Sequence, residues 1–313
     1  MIRSLDEVLA AIKGEQMRRV AVAVADDEGV LAAIQDARER GITDAILVGH
    51  EMNVRATAEK VGFDLTGTAI VHEPSATRAC VRAASLVREN QADILMKGHV
   101  HTDDFLRGVL DKEQGLRTGS IMSHVWLLDT RHLGRITMVT DGAMNIAPDL
   151  LTKGAIIMNA VYLAHHLQID CPRVGVVTAV ELVNPAMPST LEAAALAMMS
   201  RRGQFPRCIV DGPLALDNAL SVVAAKHKGI ESEVAGYCDI LLVPNIEAGN
   251  MLAKSFTYLA RSLSAGVLVG AAAPVVLTSR ADSAESKMYS LATAVLMATM
   301  RRDSRMKIGK VHF

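Results

Sequence analysis

Short apolar runs alternate along the chain with longer stretches whose apolar positions recur every three or four residues. The first run is Arg19-Val-Ala-Val-Ala-Val-Ala25, followed by Asp26 and Asp27 and then by Leu31, Ile34 and Ala37 as far as Gly41. A compact run predicts a buried strand, and the wider spacing predicts a helix. Ahead of these, Leu5 to Ile12 predicts a helix capped by Ser4 with Glu7 as its capping-box partner. Further strands are expected at Asp44–Gly49, Ala69–His72 and Ala92–Gly98, with helices at Asn53–Val61 and Thr77–Glu89. This alternation calls for a mostly parallel sheet with helices on both faces.

Thr118–Leu128 and Arg135–Val139 read as two strands joined by a turn at Asp129–Gly134, a hairpin inserted in the sheet. Leu151–His166 predicts a long helix, and the change to a second domain is placed just ahead of it. Beyond it come strands at Pro172–Ala179, Cys208–Leu214, Asp239–Asn245 and Gly266–Ala272, with helices at Ser189–Met199, Leu220–Ala225 and Gly249–Leu263. The stretch Pro274-Val-Val-Leu-Thr-Ser-Arg-Ala-Asp-Ser283 is a buried strand that breaks into polar residues. A last helix follows with Met288, Leu291, Val295 and Met297, and Asp282 or Ser283 can cap it. The expected domains are residues 1–148 plus 271–313, which is discontinuous, and residues 149–270.

Composition narrows the functional classes. Hydrophobic residues make up 50% of the 313 and charged residues 21%, at a formal net charge of −1. That balance gives no electrostatic reason to expect nucleic acid or a membrane surface as partner. Aromatics at 3% leave few stacking platforms for bases. No apolar run reaches membrane-spanning length, and the N-terminal residues lack the pattern of a signal peptide. Cys80, Cys171, Cys208 and Cys238 are scattered without a CxxC pair, which argues against zinc or a disulfide framework. A cytoplasmic location is expected.

In a parallel sheet, ligands sit beyond the C-terminal ends of the strands. Met96-Lys97-Gly98-His99-Val100-His101-Thr102-Asp103-Asp104-Phe105-Leu106-Arg107 stands at such an end. Lys97, Thr102 and Arg107 suit phosphate oxygens, and Gly98 lets backbone come close to a ligand. The plain alternative is a loop and a solvated Arg107. His99 and His101 lack a third ligand, so no metal is expected. Ser279 and Arg280, at the mouth of a helix, offer a hydroxyl, a guanidinium and free N–H groups to an anion. Glu247, Asn250 and Lys254 follow another apolar strand; they are candidate cleft residues or simply helix polar residues. GxGxxG, GxxxxGK[ST] and GxSxG are all absent, which removes the support for a Rossmann site, a P-loop and a nucleophile elbow.

Four segments together resemble the phosphate acetyltransferases and phosphate butyryltransferases. They are Ile94-Leu-Met-Lys-Gly98 with Thr102 and Leu106-Arg107; Asp211-Gly-Pro-Leu214 with Asp217; Pro244-Asn-Ile-Glu-Ala-Gly-Asn250 with Lys254; and Pro274-Val-Val-Leu-Thr-Ser-Arg280 with Ser283. They run in family order over nearly the whole chain, and the Lys-Gly and Thr-Ser-Arg-Ala-Asp-Ser forms are similar to the butyryltransferase branch. The resemblance implies an isocitrate/isopropylmalate dehydrogenase-like fold, two α/β domains with an interdomain cleft, and a homodimer or larger homo-oligomer. It implies reversible exchange between acyl-CoA plus phosphate and acyl phosphate plus coenzyme A, with coenzyme A as a substrate and no tightly bound cofactor. Ser279 and Arg280 would then stand at the reacting centre, with Lys97, Gly98, Thr102, Arg107, Glu247, Asn250, Lys254 and Ser283 binding substrate. The acetyltransferases commonly place an Asp seven residues after the Ser, as the base for the thiol. Here Ser286 stands there, preceded by Glu285, so the base is Glu285 or another group. Two competing readings are a metal-dependent decarboxylating dehydrogenase of the same architecture and a non-catalytic protein that binds coenzyme A or acyl phosphate.

Overall fold

The structure, a computed structural model, describes residues 1–300 and 309–311, and of Arg131 and Met300 the backbone alone. The chain gathers into two compact units. One comprises Leu5–Ser120 and the stretch from Ala265; the other comprises Ile121–Ser264 with Met1–Ser4 and residues 309–311.

The first unit starts with α1 (Leu5–Ala11), β1 (Arg18–Ala23), α2 (Glu28–Glu39), β2 (Thr43–Gly49) and α3 (Glu51–Val61). It continues with β3 (Ala69–His72), α4 (Ala76–Arg88), β4 (Ile94–Lys97) and α5 (Thr102–Val109). Local chemistry sets the ends of these helices. Asp27 accepts from the Val30 amide and caps α2, Ser75 caps α4, and α3 stops at Gly62, whose φ of 68° suits a residue without a Cβ.

In the second unit β5 (Ser123–Thr130) and β6 (Arg135–Thr140) form an antiparallel pair around a 3-10 turn at Arg131–Leu133. Then come α6 (Leu150–His166), β7 (Arg173–Val177), α7 (Pro188–Arg201), β8 (Ile209–Leu214), α8 (Leu216–Leu220), α9 (Val222–His227), β9 (Ile240–Leu242) and α10 (Ile246–Tyr258). The strand order is β5-β6-β9-β7-β8, parallel apart from the β5–β6 pair. Leu128, Val139, Leu214 and Leu241 meet in its core.

The chain ends through β10 (Leu263–Val269), β11 (Val275–Val276) and α11 (Ala284–Met300). β11 pairs antiparallel with β10 and parallel with β4, Val275 opposite Leu95 and Val276 opposite Met96. The first unit thus carries the order β3-β2-β1-β4-β11-β10. Ile94, Leu95, Met96, Val275 and Val276 are fully buried, in keeping with strands covered on both faces.

Several expected boundaries shift. The strand expected from Thr118 starts at Ser123, because the Thr118 hydroxyl is tied to the Gly270 carbonyl at 2.7 Å. The same strand continues to Thr130 through residues expected to turn, since Asp129 pairs with Ile136. The single helix expected at Leu220–Ala225 is two short ones that meet at Ser221, whose hydroxyl caps the second. The helix expected at Gly249–Leu263 begins at Ile246, where Asn245 caps it, and ends at Tyr258, ahead of Arg261 with φ 51°. The β5–β6 hairpin belongs to the second unit, whereas the expected division at residue 148 puts it with the first.

Candidate functional site

β4 delivers Lys97 to the C-terminal end of the first unit's sheet, where the side chain is only 3% exposed. The next residue has no room for a side chain. A Cβ on Gly98 would stand 2.1 Å from the Val24 carbonyl oxygen and 2.7 Å from that of Ala23. The backbone instead crosses the end of β1, with the Gly98 and His99 amides donating to Ala23 and Val24 at 2.9 and 2.7 Å. His101 then occupies the cap position of α5 without a side-chain cap, so the first amides of that helix are left open.

β11 runs parallel beside β4 and releases its chain at the same sheet end. There Thr278 is buried while Ser279 and Arg280 are exposed. The turn is held from within: the Ser279 amide donates to Asp282 Oδ2 at 2.7 Å, and the Asp282 amide donates back to the Ser279 carbonyl at 3.2 Å. Ser283 accepts from the Ser286 amide at 3.1 Å and so caps α11.

These two stretches line one cavity of about 390 Å³. Its walls are Lys97, Val100, His101, Thr102, Asp103, Ser279, Arg280 and Ala281. Arg280 Nη2 donates across it to His101 Nδ1 at 3.4 Å. A guanidinium only donates, so this contact puts the imidazole proton on Nε2. Burial holds the Lys97 amine below the usual lysine range. Asp27 opposes that shift, and the positive charges of Arg280 and Lys287 add to it. The arrangement can cradle an anion, combining the Arg280 guanidinium, the Lys97 amine, hydroxyls and the open amides of a helix start, with the Asp103 carboxylate at its edge.

Of the residues expected here, Lys97, Thr102, Ser279 and Arg280 line the cavity and Gly98 shapes its floor. Arg107 stands on the exposed side of α5, its side chain 74% exposed and paired with Asp104 at 3.1 Å. Glu285 is exposed on α11 and acts electrostatically on Tyr289, whose hydroxyl donates to Asp6 at 2.6 Å. Ser283 is the helix cap and does not line the cavity.

In the second unit, Glu247, Asn250 and Lys254 all lie on α10, with Glu247 and Lys254 exposed. Asn250 donates to the Gly142 carbonyl at 3.3 Å, beside a backbone crossing in which Gly142 and Gly249 leave no space for a Cβ. Asp141 builds the turn of Gly142 by accepting from the amides of Ala143, Met144 and Asn145 at 3.1 Å each.

Sequence reasoning overlooked Lys287. It is 2% exposed, donates to the Asp282 carbonyl at 2.6 Å and braces the Ser279–Ser283 turn from beneath. The signal was present: Lys287 precedes Leu291 by four residues, which places a charge on the apolar face of the last helix. Among the described residues no group of three or more His, Cys, Asp and Glu could hold a metal ion, and no helix is long and apolar enough to cross a membrane.

A family model described as phosphate acetyl/butaryl transferase matches residues 4–79 and 69–295. The phosphate butyryltransferase of Clostridium acetobutylicum is 52% identical over 298 residues, covering 95% of this chain and 99% of that protein. A crystal structure of a branched-chain phosphotransacylase from Enterococcus faecalis superposes with a TM-score of 0.80 at 33% identity, over 90% of this chain and 99% of that one. A 4-hydroxythreonine-4-phosphate dehydrogenase from Klebsiella pneumoniae shares the fold at a TM-score of 0.55 and 15% identity, over 90% and 99% of the two chains. These matches do not favour the dehydrogenase or the non-catalytic reading.

Proposed function

Because the chain belongs to the phosphate acetyl/butyryl transferase family, we propose that it catalyses reversible transfer of a short acyl group between coenzyme A and inorganic phosphate. The observation that carries this reading is the cavity in which Lys97, Thr102, Ser279 and Arg280 converge on the open start of α5. An acyl phosphate is already activated, so no covalent enzyme intermediate is needed. The protein has to hold the thiol against the carbonyl carbon, stabilise the oxyanion and receive the departing phosphate. Arg280 neutralises the phosphate or the oxyanion, and Ser279 hydrogen-bonds the carbonyl or thiol. Thr102 and the α5 amides hold phosphate oxygens. Arg107 is free to exchange Asp104 for a substrate phosphate, and Glu247, Asn250 and Lys254 supply polar substrate contacts from α10.

Coenzyme A enters as a substrate, and no tightly bound cofactor takes part. We place the protein in the cytoplasm as a homodimer or larger homo-oligomer.

The test is a thiol-release assay with phosphate and, in parallel, acetyl-CoA, propionyl-CoA and butyryl-CoA. Phosphate-dependent release of coenzyme A is expected, and its ranking identifies the preferred chain length. Absence of release with all three would overturn the assignment.

A further inference from the structure

In the direction of acyl-CoA synthesis a proton must leave the coenzyme A thiol, and in the reverse direction it must return. Glu285 is exposed, acts on Tyr289 and does not line the cavity, whereas Asp103 lines it but is exposed on the first turn of α5. His101 lines the cavity, yet its Nδ1 lone pair is taken by Arg280. Lys97 lines it as well, at the end of a rigid, fully buried strand.

We propose that Lys97 is the general base and acid of the reaction, taking the proton of the coenzyme A thiol at its Nζ. This rests on the acyltransferase reading above.

The step balances without another reactant. Neutral Lys97 takes the S–H proton and becomes an ammonium. The thiolate forms the C–S bond at the acyl phosphate carbonyl, the C–O bond to phosphate breaks, and phosphate leaves with that electron pair. In reverse, phosphate attacks the thioester and the Lys97 ammonium returns the proton to the departing thiolate.

The surroundings favour this use. The Lys97 amine donates to its neighbour's carbonyl, Gly98, at 3.2 Å. The charged and titratable groups around it are Asp27 at the start of α2, Cys80 on α4, Arg280 beyond β11 and Lys287 on α11, with His101 and Asp103 lining the same cavity. The Asp27 carboxylate is engaged in capping α2, accepting from Val30 at 2.9 Å. Burial leads in drawing the amine down from the usual lysine range, Arg280 and Lys287 add to that, and Asp27 and Cys80 oppose it.

A phosphate-binding lysine and a proton-transferring lysine give different results on substitution. Arginine keeps the charge and cannot give up its proton. Lys97→Met removes the amine while filling the buried stem, and Lys97→Ala leaves room for a small amine. Wild-type turnover is established first, so a failure of the acyltransferase reading is seen separately. All three variants are checked for native melting and for phosphate binding by calorimetry. We expect Lys97→Arg and Lys97→Met each to lose more than ~100-fold in kcat. Added methylamine or ethylamine should restore part of the Lys97→Ala rate, the more so as pH rises and the free amine accumulates. A Lys97→Arg enzyme within a few-fold of wild type would overturn the proposal, because charge alone would then suffice. So would folded variants that lose phosphate binding and show no amine rescue, or an Asp103→Asn or Glu285→Gln variant that alone is inactive.

Discussion

Arg280 is exposed, lines the cavity and reaches across it to His101, so on the function proposed above its guanidinium would meet the developing negative charge. Arg280→Ala is expected to lower kcat by more than ~100-fold while the melting temperature stays close to wild type; wild-type-like turnover would remove it from the reacting centre. Gly98 behaves differently. Its missing Cβ lets the loop cross the end of β1, so Gly98→Ala forces backbone apart and is expected to cost at least about 2 kcal/mol, measured by urea denaturation. At this scale the sequence picked out Lys97, Thr102, Ser279 and Arg280, which line one cavity, because these residues stood next to strand ends. It left a solvated Arg107 open as an alternative without deciding for it, and it did not show that Lys287 supports the Ser279 turn. Those depend on the rotation of a helix about its axis and on which strand lies next to which.

The elements were legible where apolar periodicity was long, as in α4 and α6, and less so where side chains override it. Asn245 illustrates this: its side chain accepts from the Ala248 amide at 3.0 Å and starts α10 at Ile246 rather than at Gly249. Asn245→Ala is expected to destabilise by about 1 kcal/mol, seen as a lower denaturation midpoint, while leaving the first unit's cavity unaltered. The two-residue strand β11 is the other case. Its sequence announced a buried strand, but not that it would run antiparallel to β10 and parallel to β4, because register is set by neighbours distant in the chain. That pairing sets Ser279 and Arg280 beside Lys97, so β11 aligns the site despite its length.

Across the molecule, acid is expected to weaken the fold through carboxylates that serve turns and helix starts. Backbone amides hold Asp64, Glu73, Asp111 and Asp149 below their usual range, donated by Thr66, Ser75, Gln114 with Glu113, and Thr152 respectively. The unfolded chain therefore takes up protons at a higher pH than the folded one. Their contribution is complete above the ordinary values of 3.8 and 4.5 and fades as pH falls through the depressed ones. The melting temperature should accordingly drop on acidification below that window, and Asp149→Asn should flatten the drop. Finally, His101 and Arg280 meet at 3.4 Å although 179 residues separate them in the chain. A ribosome adding roughly 5–20 residues per second needs roughly 10–35 s to travel from one to the other. Throughout that interval the nascent chain holds half of its anion cradle, and any product released before β11 is made would lack Ser279 and Arg280 however well its completed strands had paired.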